Sequence, residues 1–196
     1  MGENKRLKQV EKVKEHTEEY EEARLQPLIE ERYEIINGVR YDLKPSPTFN
    51  HQVLVTQLLN RIYSTCYPSS TVVVAPMDVH LDEENTVQPD VIYISNENHD
   101  IIQNQRIEGP PDLLVEILSP STSKKDKILK KELYERFGIK EYWIVDPVHH
   151  IIDQLVLEKQ HYVLHASYGL GDKLSSPQFS CISIDMNKLY EPLLKK

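Results

Sequence analysis

Nearly continuous apolar runs, separated by polar loops, occupy the central part of the chain. They cover residues 71–81, 88–95, 111–118 and 141–146. Runs of this length without polar alternation are typical of strands that are covered on both faces. Further along, residues 151–158 and 161–167 predict a closing β-hairpin, and residues 169–176 predict a turn.

Helical spacing of apolar residues predicts one helix before these strands and another among them. The first follows a turn within residues 45–66, where Thr48 or Asn50 can cap it. Its core face contains Val53, Leu54, Leu58, Leu59 and Ile62. The second covers residues 123–137 and stops at Gly138.

The N-terminal part of the chain predicts a charged helix followed by a hairpin. Residues 1–30 are highly charged and carry apolar residues at roughly helical spacing, which predicts a helical extension. A solvated amphipathic helix and a clasp or dimer contact both fit this pattern. Asn37-Gly38, within residues 32–43, is a strong hairpin signal. We assign residues 31–196 to a single domain.

The order of the central elements predicts the fold class. Helix, three strands, helix and strand imply an α/β (α+β) fold, in which helices flank a mixed central sheet. With 196 residues, the chain is long enough to bury a core of its own. Its 39% hydrophobic and 28% charged residues are typical of a soluble globular protein.

Hydropathy, cysteine content and charge narrow the class of protein. No apolar run reaches membrane-spanning length, and the charged start does not resemble a secretory signal. Cys66 and Cys181 are too few and too far apart to suggest a disulfide framework, so we expect a reduced cytoplasmic protein. The net charge of −8 argues against a surface that is basic all over, but it permits a local basic groove.

One predicted strand contains a carboxylate where a core residue is expected. Glu116 is flanked on both sides by apolar residues, and an ionised carboxylate there is costly unless cations or donors compensate it. Asp90 follows Pro89 at the start of an earlier strand, and pairing of the two strands would bring the carboxylates together. A strand-end carboxylate and a buried salt bridge are the structural alternatives. Together the two acids favour a site for Mg²⁺ (or Mn²⁺).

The second predicted helix contributes a candidate lysine. Ser123 and Asp126 have the spacing of a capping box at its start. On a wheel of about 100° per residue, Lys130 and Asp126 lie near the apolar stripe, so we expect both to face the sheet. Lys124 and Lys127 point to solvent or to a polyanion, and an ordinary solvated helix face also fits them.

Two carboxylates, a divalent ion and a lysine are the groups that metal-assisted phosphodiester hydrolysis requires. The metal polarises a phosphoryl oxygen and supplies hydroxide at neutral pH. A lysine orients the water and stabilises charge that builds at phosphorus. The sequence therefore predicts Asp90, Glu116 and Lys130 as catalytic residues.

Four segments of the chain also carry a family resemblance. They are "ERYEIINGV", "PSPTFNHQVLV", "VQPDVIYIS" and "PPDLLVEILSPSTSKKDKILKKELYERFGIKEYWIVDP". They resemble the Uma family of restriction endonucleases, which belongs to the PD-(D/E)XK nuclease superfamily. The resemblance implies an αβββαβ core and a Mg²⁺-dependent endonuclease that acts on DNA, and a homodimer is the arrangement in which such nucleases often cut both strands.

The resemblance also implies roles for individual residues. Asp90 matches the motif's aspartate and Glu116 its second acid, whereas Leu118 stands where the superfamily's lysine is found. Lys130 matches a lysine that has moved to the following helix. The other matches are Glu34 as a third metal ligand, His51 in a substrate or structural role, and Asp126 and Tyr134 at motif positions. We assign His51, Lys124, Lys127 and Tyr134 to substrate binding.

Two alternative functions remain compatible with the sequence. A catalytically inert protein of this fold would grip nucleic acid or a protein partner without cutting, and a divalent ion between Asp90 and Glu116 would distinguish the nuclease from it. A zinc enzyme fits less well. His161 and His165 lie in a strand-like run, where residues four apart are separated by about 13 Å.

Overall fold

The computed structural model describes residues 32–43, 46–120 and 122–194. The helix predicted over residues 1–30 lies outside the described residues and stays a prediction. The boundaries of the single domain likewise stay a prediction.

A six-stranded mixed sheet forms the centre of the fold, in the order β12–β11–β10–β9–β6–β3. Its strands are β3 (Ser70–Val74), β6 (Val91–Ser95), β9 (Leu113–Ile117), β10 (Glu141–Asp146), β11 (Ile151–Glu158) and β12 (His161–Tyr168). β6 is antiparallel to both of its neighbours, β3 and β9, whereas β9 and β10 are parallel. The chain between β9 and β10 forms a helix, which is the usual connection for a parallel pair.

A second six-stranded sheet has the order β2–β1–β5–β4–β8–β7. Its strands are β1 (Tyr33–Ile36), β2 (Val39–Asp42), β4 (Val79–Asp82), β5 (Asn85–Val87), β7 (Ile102–Gln103) and β8 (Arg106–Glu108). The predicted N-terminal hairpin is confirmed, because β1 and β2 pair across Asn37 and Gly38. Both turn residues have positive φ, at 53° and 72°, as a two-residue hairpin turn requires.

The described residues also contain three helices, a 3₁₀ helix over Asn96–Ile101 and a small hairpin. α1 is Phe49–Cys66 and α3 is Met186–Leu194. α2 begins with a π-helical segment, Lys125–Lys130, and continues as the α-helical Lys131–Arg136. The hairpin pairs β13 (Lys173–Ser175) with β14 (Ser183–Asp185). The Thr48 hydroxyl caps α1 by accepting from the His51 N–H at 3.3 Å. No described helix is long and apolar enough to cross a membrane.

Both faces of the central sheet are covered. On one face, Leu113, Val115 and Ile117 of β9 join α1 and α3 in one apolar cluster. On the other face, Leu114 belongs to a cluster that includes α2 and the second sheet. Because side chains alternate along a strand, Glu116 points to the same face as Leu114. The prediction of an α+β fold with a mixed sheet is confirmed, and the fold sets Glu116 beneath α2.

Two predicted segments differ from the structure. Residues 71–81 form two strands in different sheets, β3 and β4, because Pro76 between them has no N–H for a ladder. Residues 169–176 contain β13 as well as a turn. β13 spans three residues, too few to show a period of two in the sequence.

The two cysteines form a disulfide bond, contrary to our expectation of reduced thiols. Cys66 ends α1 and Cys181 precedes β14, and their Cα atoms are 5.1 Å apart. This separation is within the normal range for a disulfide. The prediction was wrong because it relied on their separation of 115 residues along the chain. In the fold, the end of α1 and the C-terminal segment pack in the same apolar cluster, which brings the two cysteines together.

Glu135, near the end of α2, contacts the edge strand β12. Its carboxylate accepts from the Tyr162 N–H, and His161 Nδ1 lies 3.1 Å from it. The hydrogen bond from the Tyr162 backbone holds the pKa of Glu135 below its usual value. Its stabilising effect is therefore present above the unfolded-state pKa and is lost as the pH falls through the folded-state pKa.

We expect Glu135→Gln to lower the free energy of unfolding by about 1 kcal/mol at neutral pH. The difference from the wild type should shrink on acidification, because protonation removes the same charge from the wild type. Urea unfolding at neutral and acid pH measures it, with the exposed Glu158→Gln as control. An equal difference at both pH values would contradict the proposed role of the charge.

Candidate functional site

Glu116 lies in β9, and Asp90 immediately precedes the neighbouring strand β6 at one end of the central sheet. The antiparallel register pairs Val91 of β6 with Val115 of β9. Continued by one residue, this register sets Asp90 opposite Glu116. The structure therefore brings the two predicted carboxylates together.

One oxygen of Asp90 is fixed by two hydrogen bonds, and the other is not. Oδ2 accepts from the Ile117 N–H at 2.7 Å and lies 3.1 Å from His51 Nε2. No hydrogen bond to Oδ1 occurs within the described part of the chain. The Asp90 side chain is about one-sixth exposed, at 16%. Asp90 is thus oriented from inside and presents one oxygen that is free to bind a ligand.

Glu116 is buried, and one of its oxygens is bound by two donors. Oε1 accepts from Lys130 Nζ at 2.7 Å and from the Tyr134 hydroxyl at 2.9 Å. Oε2 has no hydrogen bond among residues 32–43, 46–120 and 122–194. Burial raises the pKa of Glu116 well above its usual value, and the Lys130 ammonium offsets only part of this effect. Glu116 therefore also has a free oxygen, in an environment that disfavours an isolated negative charge.

Glu34 is fully buried in β1 and lies between two lysines. Its Oε1 is 2.6 Å from Lys130 Nζ and accepts from the Gln88 N–H at 3.0 Å. Its Oε2 forms an ion pair with Lys125. Burial raises the pKa of Glu34, but the ammonium groups of Lys130 and Lys125 outweigh burial and hold the pKa below its usual value. Glu34 is an ionised partner for these two lysines.

Lys130 is the central cation of the cluster. It is buried, at 3% exposure, and lies 3.7 Å from Asp126 Oδ1 in addition to its contacts with Glu34 and Glu116. Burial alone would lower the pKa of Lys130, but these three carboxylates raise it well above its usual value. Lys130 is therefore an ammonium group at neutral pH. Asp126 and Lys130 both face the sheet, as the helical wheel indicated.

The role of Lys125 was missed by sequence analysis. Lys125 and Lys130 are five residues apart, and in an ideal α-helix this spacing places side chains about 140° from each other. The segment Lys125–Lys130 is instead π-helical, so residues five apart lie almost one turn above each other. Both ammonium groups can then reach Glu34. A wheel with 3.6 residues per turn contains no signal for this arrangement.

The residues predicted to contact substrate occupy different environments. Lys124 and Lys127 are exposed on the outer side of α2. His51 stands beside Asp90, and its Nδ1 has no hydrogen-bond partner within the described residues. Tyr134 is fully buried and donates to Glu116 Oε1, and its predicted contact with substrate stays a prediction.

The free oxygens of Asp90 and Glu116 fit a divalent cation. Mg²⁺ and Mn²⁺ are bound by oxygen ligands, and Mg²⁺ typically uses one or two protein carboxylates and keeps several waters. Among the described residues, no group of three or more His, Cys, Asp or Glu side chains is arranged to hold a metal. Glu34 does not add a third oxygen, because lysines contact both of its oxygens. The donor set is therefore two carboxylates.

Comparison with solved structures identifies a protein with a similar fold. It is described as "a putative nuclease belonging to DUF820" from Anabaena variabilis ATCC 29413, in a crystal structure. The two folds superpose with a TM-score of 0.69 at 19% sequence identity, over 86% of this chain and 94% of that chain. This similarity shows that the two chains share their α+β fold.

Comparison of the sequence gives a family. No curated protein matches the chain. Residues 17–187 match the profile of the family Uma2, described as "Putative restriction endonuclease". The match includes every residue of the carboxylate and lysine cluster. With most of its length in this match and a nuclease-like fold, the chain belongs to the Uma2 family.

Proposed function

We propose that the protein is a metal-dependent nuclease that hydrolyses phosphodiester bonds in DNA. The observation that carries this proposal is a pair of carboxylate oxygens, Asp90 Oδ1 and Glu116 Oε2, that accept no hydrogen bond from any described residue. Asp90 immediately precedes β6, Glu116 lies in the adjacent β9, and the buried ammonium of Lys130 contacts Glu116. Family membership and the nuclease-like fold support the reaction class. A divalent ion bound by Asp90 and Glu116 would polarise a phosphate oxygen and provide a water that ionises near neutral pH.

The residues around the two ligands orient them. His51 and the Ile117 N–H hold Oδ2 of Asp90, and no described residue donates to Oδ1. Tyr134 and Lys130 likewise hold Oε1 of Glu116, and no described residue donates to Oε2. Partners of this kind fix the direction of metal ligands and raise metal affinity.

Lys130 acts as a cation in this proposal and does not accept a proton. Its pKa is raised by three carboxylates, so a neutral amine is absent at the pH of the reaction. An ammonium group beside the scissile phosphate stabilises the negative charge that builds on phosphate oxygens in the transition state. This refines the role in water activation that we predicted for Lys130.

The basic face of α2 is the proposed contact for the nucleic-acid backbone. Lys124 and Lys127 are exposed there, and phosphate contacts need only a local patch on a chain with net charge −8. The homodimer stays a prediction. The alternative is a catalytically inert protein that binds nucleic acid without cutting it. Such a protein would not require Asp90 Oδ1 or Glu116 Oε2 to bind a metal.

Nicking of supercoiled plasmid tests the proposal. The wild type should nick DNA with Mg²⁺ or Mn²⁺ and stop when EDTA is added, and Asp90→Asn should be inactive. Glu158→Gln, which removes an exposed carboxylate of β11, should nick like the wild type. Nicking that persists in EDTA or in the Asp90→Asn variant would contradict the proposed site.

We expect His51→Ala to weaken Mn²⁺ binding by about 10- to 100-fold, as is typical when the partner of a metal ligand is removed. His51 holds Asp90 through a contact of 3.1 Å, so its loss leaves the carboxylate oriented by the Ile117 N–H alone. Calorimetric titration measures the change, and the exposed His165→Ala in β12 is the control. Unchanged affinity in His51→Ala would show that His51 does not orient Asp90.

A further inference from the structure

We infer that Lys125 is a positioning residue: it binds one oxygen of Glu34 and thereby leaves Lys130 shared between Glu34 and Glu116. The inference rests on the proposed function, because Lys130 is the group that would face the phosphate. It extends that function to a residue that touches neither the free carboxylate oxygens nor the proposed metal position.

The contacts of Glu34 carry the inference. The carboxylate is fully buried, and each oxygen is bound by a different lysine, Oε2 by Lys125 and Oε1 by Lys130 at 2.6 Å. Oε1 also accepts from the N–H of Gln88, which lies two residues before Asp90 in the sequence. Glu34 is thus fixed in place between α2 and the segment that leads to Asp90.

The charge balance explains why two lysines are needed. Glu34, Glu116 and Asp126 surround Lys130, so a single ammonium would face three acidic groups. Lys125 supplies a second positive charge from a side chain that is 14% exposed. With the charge of Glu34 partly balanced by Lys125, Lys130 remains within 2.7 Å of Glu116.

The π-helical turn makes this arrangement possible. Its geometry stacks Lys125 and Lys130 on one side of α2, although an α-helix would turn them apart. π-helical turns are rare, and they occur frequently at functional sites. The geometry of this turn is therefore accounted for by the need to bring two cations to one carboxylate.

Removal of Lys125 should move Lys130. In Lys125→Met, Glu34 has one ammonium partner left, and its full charge attracts Lys130 away from Glu116. A shift of about 1 Å in a group that acts on the transition state can reduce the rate by about 100-fold. We therefore expect kcat for nicking to fall by about 10- to 100-fold while KM for DNA stays the same. Lys125→Arg, which keeps the charge, should recover most of the rate.

An NMR measurement tests the position of Lys130 without any need for activity. Scalar couplings across hydrogen bonds, between Lys130 Nζ and the carboxyl carbons of Glu34 and Glu116, report both contacts in the full chain. In the wild type both couplings should be present. In Lys125→Met the coupling to Glu116 should disappear and the coupling to Glu34 should remain, whereas Lys173→Met, an exposed lysine of β13, should change neither.

The outcomes separate this inference from the proposed function. If Lys125→Met keeps the coupling to Glu116, Lys125 does not position Lys130 and the inference is overturned. If the coupling disappears but the wild type does not nick DNA in any metal, the positioning holds and the proposed function fails. Should Lys125→Met not fold, Lys125→Gln, which removes the charge but can still donate to Glu34, gives the same comparison.

Discussion

The Lys130→Met variant is expected to lose about 3–5 kcal/mol of unfolding free energy, the usual cost of removing one partner from a buried ion pair. Lys130 is buried, and its ammonium lies 2.6 Å from Glu34 and 2.7 Å from Glu116. Methionine keeps much of the volume of lysine but has no charge and no donor. The carboxylates would then lie in the interior without their central cation.

The loss should depend on pH in a defined direction. Without Lys130, the buried carboxyl of Glu116 has a pKa even further above its value in the unfolded chain, because burial already raises it. The folded state then holds a proton that the unfolded chain releases, so the stability of the variant falls as the pH rises through this range. The difference from the wild type should be larger at about pH 8 than at about pH 5.

Urea unfolding at both pH values measures this prediction. The control is Lys127→Met on the exposed side of the same helix, which should change stability by no more than about 0.5 kcal/mol. Adding Glu116→Gln to Lys130→Met should restore part of the loss, because it removes one of the unpaired charges. A Lys130→Met protein as stable as the control would contradict the account of the cluster.

The Glu116→Gln variant should keep its stability but lose its nuclease activity. Glutamine has nearly the same shape, and its amide oxygen can still accept from Lys130 and Tyr134, whose donors lie 2.7 Å and 2.9 Å from Glu116 Oε1. It also avoids the unfavourable burial of a charge, so we expect stability within about 1 kcal/mol of the wild type. A neutral amide is a much poorer ligand for a hard divalent cation.

Plasmid nicking and urea unfolding of the same preparation test this pair of expectations. We expect nicking to fall at least about 100-fold, which corresponds to a loss of at least about 2.7 kcal/mol of transition-state stabilisation. A variant that loses activity only because it unfolds would fail the stability measurement. If Glu116→Gln is stable and nicks DNA at the wild-type rate, Glu116 is not a metal ligand.

The sequence predicts much of the fold because its strongest patterns are local. The apolar runs that became β9 and β10, and the Asn37-Gly38 turn, each specify an element from neighbouring residues alone. The position of Glu116 in an apolar run also marked it as a site residue, because a buried carboxylate requires a partner that compensates its charge. The helical wheel then indicated Lys130, which the structure places 2.7 Å from Glu116.

Other features depend on contacts or local geometry that no periodic pattern encodes. Lys125 reaches Glu34 only because the first turn of α2 is π-helical. The bond between Cys66 and Cys181 depends on packing between segments that are 115 residues apart in sequence. The family resemblance indicated Tyr134 as a motif residue. That its side chain is buried follows from the position of α2 over the sheet, which the sequence pattern does not encode.

Calorimetric titration with Mn²⁺, of the wild type beside Asp90→Asn, measures whether a divalent ion binds between Asp90 and Glu116. Asparagine preserves the shape of Asp90 but weakens the one ligand that is both oriented by His51 and partly exposed. The account predicts a single saturable site in the wild type, the same site in Glu158→Gln, and no measurable binding in Asp90→Asn. Absence of binding in the wild type, or equal binding in Asp90→Asn, would contradict a metal site between Asp90 and Glu116.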